Sequence, residues 1–441
     1  MIARLASFLA AVAERWVPSA FAIAVLLTGV VFAGALAIGA TVEATLAAWG
    51  RGFWTLSGFA MQMSLVVLTG YLVSTAPPVD RAFRAVARLA GSPRGAATLM
   101  AVASMAMAWL HWGLSLVGGA MLVRHLARAQ PTVDFRLLVT AAYLGMGTVW
   151  HAGLSGSVPL LMATPGHFLE ASTGLIPLGD TTLSPFNLRL AVAVSVIVAL
   201  AVWRMHPEDA LTVRVSAADL DALEEFVPPP RPARRTFATW CDHSRTLAWT
   251  LGGTGAAWLA WHVWHGGALT LDVLNFAFLM AAVILHGRLA SVMAAGERGA
   301  HLLAGVVLQF PLYAGMYGVI DGTGLARTLG DAIARTATAE TLPLALYWYS
   351  SALNYFVPSG GSKWAVEAPF ILDAAARLGV GVDRVVLAYA WGDMASNLIQ
   401  PFWALPLLAA ARLGFRDIMG YATLAFALIT AVVSTAFWLW P

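Results

Sequence analysis

Apolar runs recur along the whole chain, each of about 20 residues and so long enough to cross a bilayer as a helix. No segment shows the short apolar–polar alternation of a transmembrane β-strand. The pattern predicts spanning helices near residues 18–38, 53–75, 137–170, 186–204, 246–264, 272–287, 299–321, 384–410 and 416–440. Two further apolar stretches, 96–123 and 343–375, are interrupted by Gly or Pro near the middle, with flanking charge expected on one side. They read as re-entrant hairpins, because non-helical backbone at membrane depth is tolerated only where protein or a cavity satisfies it. The polar stretch 205–245 carries Pro228-Pro229-Pro230 and mixed charge, and reads as a cytoplasmic linker with a short surface helix. Near the start, Leu5 to Ala13 is a short apolar run in which Ala11-Val12-Ala13 has the look of a cleavage site. Arg15-Trp16 before Pro18 instead suits the interfacial start of the first span, and that reading is preferred.

Composition agrees with the pattern. The 441 residues are 59% hydrophobic and only 11% charged, against about 25% charged in soluble domains. The net charge of +3 is spread along the chain, so no nucleic-acid patch is expected. The basic residues report topology instead. With the N-terminus in the cytoplasm, 19 arginines fall on the cytoplasmic side and six outside: Arg51, Arg189, Arg327, Arg335, Arg377 and Arg384. That bias requires each hairpin to return to the side it left. The expectation is an all-α polytopic protein of the bacterial inner membrane, in contact with lipids. The single Cys241 forms no internal disulfide and suggests no metal cluster.

An internal repeat orders these elements. Gly58 to Gln62 aligns with Gly305 to Gln309, Leu110-His111-Trp112 with Leu353-Asn354-Tyr355, Ala142-Tyr143 with Ala388-Tyr389, and Pro159 with Pro401. The offsets stay between 242 and 247 residues, in one order. A competing match, Ser155-Gly156 and Pro165 against Ser359-Gly360 and Pro369, breaks that order. The first repeat is placed at 1–204, the linker at 205–245, a connecting helix at 246–264 and the second repeat at 265–441. The connecting helix makes the second half enter from the opposite side, giving an inverted-topology repeat of about nine transmembrane helices with two re-entrant hairpins.

Four breaks hold the candidate chemistry. The first hairpin turns near His111 to Ser115, and the first broken helix holds Gly153-Leu154-Ser155-Gly156-Ser157-Val158-Pro159. The second hairpin holds Asn354 to Gly361, and the second broken helix runs from Gly392 to Pro401. Freed amides at a half-helix N-terminus attract an anion, and the helix dipole adds partial positive charge. Ser359, Gly360, Gly361, Lys363, Ser155, Gly156, Ser157, His111, Asn354, Asn397 and Gln400 are therefore the candidate substrate-binding residues. Glu367, Asp393, Ser115 and Asn397 are the candidate ion-coupling residues, for a proton or Na⁺, with no other cofactor. Small residues also serve helix packing, but four repeat-related breaks favour a site. Lys363 is the only lysine and lies four residues before Glu367, so an ion pair between them is one expectation. His151 and His111 could titrate or simply pack. Asp393 could hold a cation or cap a half-helix, and Gln62 and Gln309 suit glue between helices.

At these residues the chain resembles the AtoE-like short-chain fatty acid transporter family. The resemblance rests on Gly52-Phe53-Trp54 with Met61-Gln62-Met63, on Ser155-Gly156-Ser157 followed by Pro159-Leu160-Leu161, and on Ala163-Thr164-Pro165-Gly166. It continues through Gly174-Leu175-Ile176-Pro177 with Gly179-Asp180-Thr181, Gln309-Phe310-Pro311, Tyr313-Ala314-Gly315 and Val357-Pro358-Ser359-Gly360-Gly361. The run from Gln400-Pro401-Phe402-Trp403 to Gly420-Tyr421 is the most specific. The resemblance implies uptake of short-chain fatty acids such as butyrate or acetoacetate. It also implies kinship with the ion transporter superfamily of dicarboxylate and citrate carriers, often homodimers that move a transport domain like an elevator. The chain departs from the family pattern at Lys363 (His or Gln), Glu367 (Gln), His111 (Asn) and His151 (Gly), which raises the standing of a proton as coupling ion.

The reading is a secondary transporter for a small carboxylate, with a di- or tricarboxylate carrier as the alternative. Two rivals come from other classes. Gly153-Leu154-Ser155-Gly156 fits the Gly-x-Ser-Gly pattern of an intramembrane serine hydrolase using Ser155, and a channel or sensor would share the membrane architecture.

Overall fold

The computed structural model describes residues 20–216, 220, 226–234, 236–356, 359–400, 402–404, 407–408, 411 and 413–440. The expected cleavage site and interfacial Arg15-Trp16, together with Val357, Pro358 and Pro401, lie outside them. Among the described residues all regular structure is helical.

The chain opens with α1 (Ala20–Ala37), α2 (Val42–Gly52) and α3 (Ser57–Ser74). Then come the amphipathic α4 (Pro77–Ala87), the pair α5 (Pro93–Leu110) and α6 (Trp112–Ala129), and α7 (Phe135–Thr148). Short α8 (Ser157–Met162) and α9 (Glu170–Thr173) precede the long α10 (Pro185–Met205). In the polar stretch lies α11 (Phe237–His243), followed by α12 (Arg245–Trp264), α13 (Leu271–His286) and α14 (Leu289–Ala300). The second half holds α15 (Ala304–Gly322), α16 (Leu325–Thr336), α17 (Leu342–Phe356), α18 (Gly360–Leu378), α19 (Val382–Ala395) and α20 (Phe415–Trp438).

Three of these, α3, α10 and α20, are each uninterrupted, long and apolar enough to cross a membrane by themselves. Others in the predicted set are shorter, broken or, like the 20-residue α12, less apolar. The predicted span 137–170 stops at Thr148, runs non-helical from 149 to 156 and restarts at Ser157. The stretch 384–410 likewise leaves α-helix after Ala395, where a 3₁₀ turn covers Ser396–Leu398.

The elements α3 to α7 and α15 to α19 follow one another in the same order, with 18, 11, 18, 18 and 14 residues against 19, 12, 15, 19 and 14. Equivalent pairs pack: α5 on α7 as α17 on α19, α3 on α6 as α15 on α18, and α4 on α6 as α16 on α18. Hydrogen bonds recur too. Ser104 Oγ donates to the Ala142 carbonyl at 2.7 Å, and Ser350 Oγ to the Tyr389 carbonyl at 3.0 Å. Across the first turn Ser115 Oγ donates to Ser104 O at 3.0 Å; across the second Lys363 Nζ donates to Ser350 O at 2.9 Å. In each of these two stretches a side chain of the second helix thus reaches a backbone carbonyl of the first.

Local chemistry explains the ends. Ser92 caps α5 by accepting from Gly95 N at 3.1 Å, with Pro93 just inside the helix. His111 is extended and caps α6 through Nδ1, which accepts from Leu114 N at 3.3 Å. Asp134 caps α7 through Leu137 N at 2.9 Å, and its other oxygen accepts from Val213 N at 2.9 Å. The predicted linker is thus tied to the body where it leaves α10.

The core lies around α7 and α19. Every residue of α7 except Arg136 is buried, and so is every residue from Val385 to Ala395 of α19. A helix buried all round belongs at the centre of its fold. By contrast α1 exposes Val25, Leu26 and Val30, and α12 exposes Trp249, Trp258, Trp261 and Trp264.

Close approach at the core rests on missing side chains. A Cβ on Gly145 would stand 2.4 Å from the Ser104 carbonyl, and one on Gly392 would stand 2.1 Å from the Tyr347 carbonyl. Gly145→Ala is expected to cost about 1–3 kcal/mol by overpacking. Gly58→Ala, in α3 with nothing within 4 Å of the added Cβ, is expected to be neutral or to stabilise by about 0.5–1 kcal/mol. Thermal midpoints of the two purified variants check this, and equal shifts would refute the packing argument.

Candidate functional site

The first half of α18 points into the core, where it meets α17, α19 and the break between α7 and α8. Lys363 is only 2% exposed. Its ammonium pairs with Asp393 Oδ1 at 3.0 Å and donates to Ser350 O at 2.9 Å and Ser350 Oγ at 3.1 Å. It also lies 4.9 Å from the centre of the Tyr389 ring, within cation–π range. The (i, i+4) partner expected from spacing is not the one used: the ion pair crosses from α18 to α19. Glu367 takes phenols instead, accepting from Tyr389 OH at 2.6 Å and Tyr349 OH at 3.3 Å. Among the described residues no ion pair reaches Glu367.

Asp393 has a second partner. His151, inside the first break, lies with Nδ1 2.8 Å from Asp393 Oδ2. Its Nε2 accepts from the Val158 amide at 3.1 Å, so the ring is neutral and the proton sits on Nδ1. Ser157 Oγ lies 3.0 Å from the same Nε2. This Ser–His–Asp line has the order of a nucleophilic triad, but the lone pair a base would need is already engaged by the start of α8. His151 therefore locks the break and carries the Asp393 charge to it.

The tip of α18 closes over this cluster. A Cβ on Gly360 would meet His151 Cε1 at 2.4 Å and Asp393 Oδ2 at 2.6 Å, and one on Gly361 would meet the Phe59 ring at 2.6 Å. Ser359 Oγ donates to Ser362 Oγ at 2.8 Å. Beside it lies an amide cluster. Asn354 Nδ2 donates to Asn397 Oδ1 at 2.9 Å and Ser396 Oγ at 3.1 Å, and Gln400 Nε2 donates to Asn397 Oδ1 at 3.2 Å. Asn397 Nδ2 reaches the Met146 carbonyl at 2.9 Å, and Tyr143 OH reaches the Asn397 carbonyl at 2.9 Å. The two broken helices are thereby stitched together.

The remaining expected residues sit elsewhere. Ser155 Oγ accepts from the Trp112 amide at 2.8 Å, and Gly156 turns the chain 2.2 Å from the His151 carbonyl, measured to an added Cβ. His111 stacks on Phe278 at 3.8 Å, and Ser115 bridges the first hairpin. These residues build the first hairpin and its socket; they do not join the charged cluster. Gln62 Nε2 donates to Asp272 Oδ1 at 2.9 Å and links α3 to α13.

Comparison with known proteins now decides the family. The model of the short chain fatty acid transporter family matches residues 1–440. The chain belongs to that family. A relative from Escherichia coli (strain K12) is 36% identical over 430 residues, covering 96% of this chain and 97% of the relative. One from Haemophilus influenzae (strain ATCC 51907 / DSM 11121 / KW20 / Rd) is 33% identical over 445 residues, covering 99% and 98%. Both bear the provisional name of short-chain fatty acid transporter. The fold is similar to the crystal structure of the YdaH transporter of Alcanivorax borkumensis, with a TM-score of 0.65 at 15% identity, over 96% of this chain and 98% of that one. The family is one of transporters, not enzymes, and membership makes this a membrane protein.

Sequence reasoning missed Tyr389, Tyr349 and Ser350. Ser350 was within reach, since Ser104 precedes it by the repeat offset, and Tyr389 sits in a repeat-matched dipeptide. Tyr349 carries no sequence signal.

The Lys363–Asp393 pair gives a stability test for this transporter. Asp393→Asn leaves a buried ammonium without its counter-charge and is expected to cost about 3–5 kcal/mol. Lys363→Met with Asp393→Leu removes both charges and is expected to cost less than either single change. Thermal unfolding of the three proteins checks it, and a double variant worse than both singles would overturn the pairing argument.

Proposed function

We propose that the chain is a secondary active transporter that carries short-chain fatty acid anions, such as butyrate or acetoacetate, across the bacterial inner membrane by alternating access, coupled to protons. The observation that carries this reading is the buried network of Lys363, Asp393, His151 and Glu367 at the meeting point of the second hairpin and both broken helices. Ionisable groups inside a membrane protein are costly and mark substrate paths and proton relays.

The paired helix order and recurring hydrogen bonds support an inverted repeat, with about nine crossings and two re-entrant hairpins. The substrate carboxylate competes with Asp393 for Lys363 and meets the backbone amides at the start of α18. Ser359, Gly360, Gly361 and Ser157 border that position. Closure of the α18 tip over His151 and Asp393 leaves no room for a Cβ at Gly360, so this tip is the element that lifts for the anion to arrive. A homodimer with an elevator-like movement and a cytoplasmic N-terminus completes the reading.

Two chemical points choose among carriers. Lys363 is the single basic side chain of the network and already faces Asp393, so it balances one carboxylate better than two or three; this favours monocarboxylates over di- or tricarboxylates. The Asn397 side-chain oxygen already receives two N–H groups, which leaves less for a Na⁺ ion. Glu367, held by two phenols, suits a proton carrier.

In proteoliposomes, saturable uptake of labelled butyrate is expected to accelerate with an inwardly directed proton gradient. Glu367→Gln is expected to lose that response while retaining butyrate exchange within a few-fold of the parent. Uptake driven by Na⁺ alone would replace the proton by Na⁺, and no saturable uptake of any short carboxylate under either gradient would sink the reading.

A further inference from the structure

A cavity of about 230 Å³ lies between α1, α15, α16, α17 and α18. Its wall is almost wholly aliphatic and aromatic and includes the buried Met316 and Ile320 of α15 and Gly34 of α1. Its polar side chains lie at one end, on α17 and α18: Lys363, Glu367 and the Tyr349 hydroxyl that donates to Glu367. Tyr313 of α15 is the other polar residue among the described lining residues. The chamber is therefore apolar along its length and charged at one end, and it shares that end with the network already described. Its volume falls below the roughly 300–1,000 Å³ of pockets for drug-sized ligands.

We propose that this chamber takes the alkyl tail of an unbranched monocarboxylate and sets the chain length the transporter accepts, the head group lying at the Lys363–Glu367 end. The inference rests on the transport reading above and deepens it. The charged end selects an occupant with one polar head, and the dry wall selects a tail without polar atoms. Each methylene moved from water into such a wall improves binding by about four-fold, until the chamber is full. Gly34 is the position that sets the free space: a Cβ there would lie 3.4 Å from Leu325 Cδ2, an ordinary contact, so larger side chains fill the chamber by growing from it.

The test is competition of a series from acetate to octanoate against labelled acetate uptake in proteoliposomes. In the parent, inhibition is expected to strengthen by about four-fold per methylene over the first members and then to weaken. Gly34→Leu is expected to shorten the preferred chain by at least one methylene, and Met316→Ala to lengthen it by as much. Unchanged rank order in both variants, with acetate uptake intact, overturns the chamber and leaves the transport reading standing. Absence of saturable uptake of every acid of the series in the parent overturns both. Should either variant fail to fold, the same acids are compared as stabilisers of the parent protein in a thermal shift assay. Stabilisation that rises with chain length to a limit supports the chamber. Stabilisation independent of length overturns it, and would be the outcome if a membrane lipid tail filled the space.

Discussion

A buried ammonium must be paired, and the centre of this protein is arranged around the one lysine it has. Lys363 meets Asp393 from a neighbouring helix at 3.0 Å, and Asp393 in turn holds His151 at 2.8 Å. The isolated ions would each cost several kcal/mol to take out of water, so α18, α19 and the break after α7 can pack only in the one register that keeps all three groups together. The same constraint explains the glycines at the start of α18. Any side chain at Gly360 would occupy the space in which His151 and Asp393 meet.

The two predicted hairpins are closed by different chemistry. In the first, Ser115 donates to the Ser104 carbonyl across the hairpin; in the second, Lys363 donates to the Ser350 carbonyl from the equivalent place. A neutral hydroxyl closes one turn, and a charge closes the other. The first half thereby becomes a socket built of backbone contacts, with Ser155 holding the Trp112 amide. The second half gathers Lys363, Glu367 and Asp393, and the first adds His151. Membership of the short-chain fatty acid transporter family fits a site in which one cation, two carboxylates and a histidine are buried. A dry, low-dielectric setting strengthens each of these interactions.

Much of the architecture was legible in the chain itself. Long apolar runs and their interruptions by Gly and Pro located the places where helices stop, at His111 between α5 and α6, after Thr148 and after Ala395. The pattern suffices because lipid demands helices, and helix breaks in lipid need special residues. The individual candidates fared unevenly. Lys363, Glu367, Asp393, Gly360, Gly361 and Ser157 converge on one cluster. Asn354, Asn397 and Gln400 form the adjoining amide network, and His111, Ser115 and Ser155 support the first hairpin.

What the sequence determined by itself was the all-helical class, the family and the places where helices stop, because each follows from local composition and spacing. Only the tertiary structure decided who pairs with whom. Spacing along one helix offered Glu367 to Lys363, yet Asp393 from α19 takes the ammonium while two tyrosines take Glu367. His151, 242 residues from Asp393, is brought to its other oxygen. Such contacts join residues distant in the chain, and their geometry comes from the packing of whole helices, which no local pattern encodes.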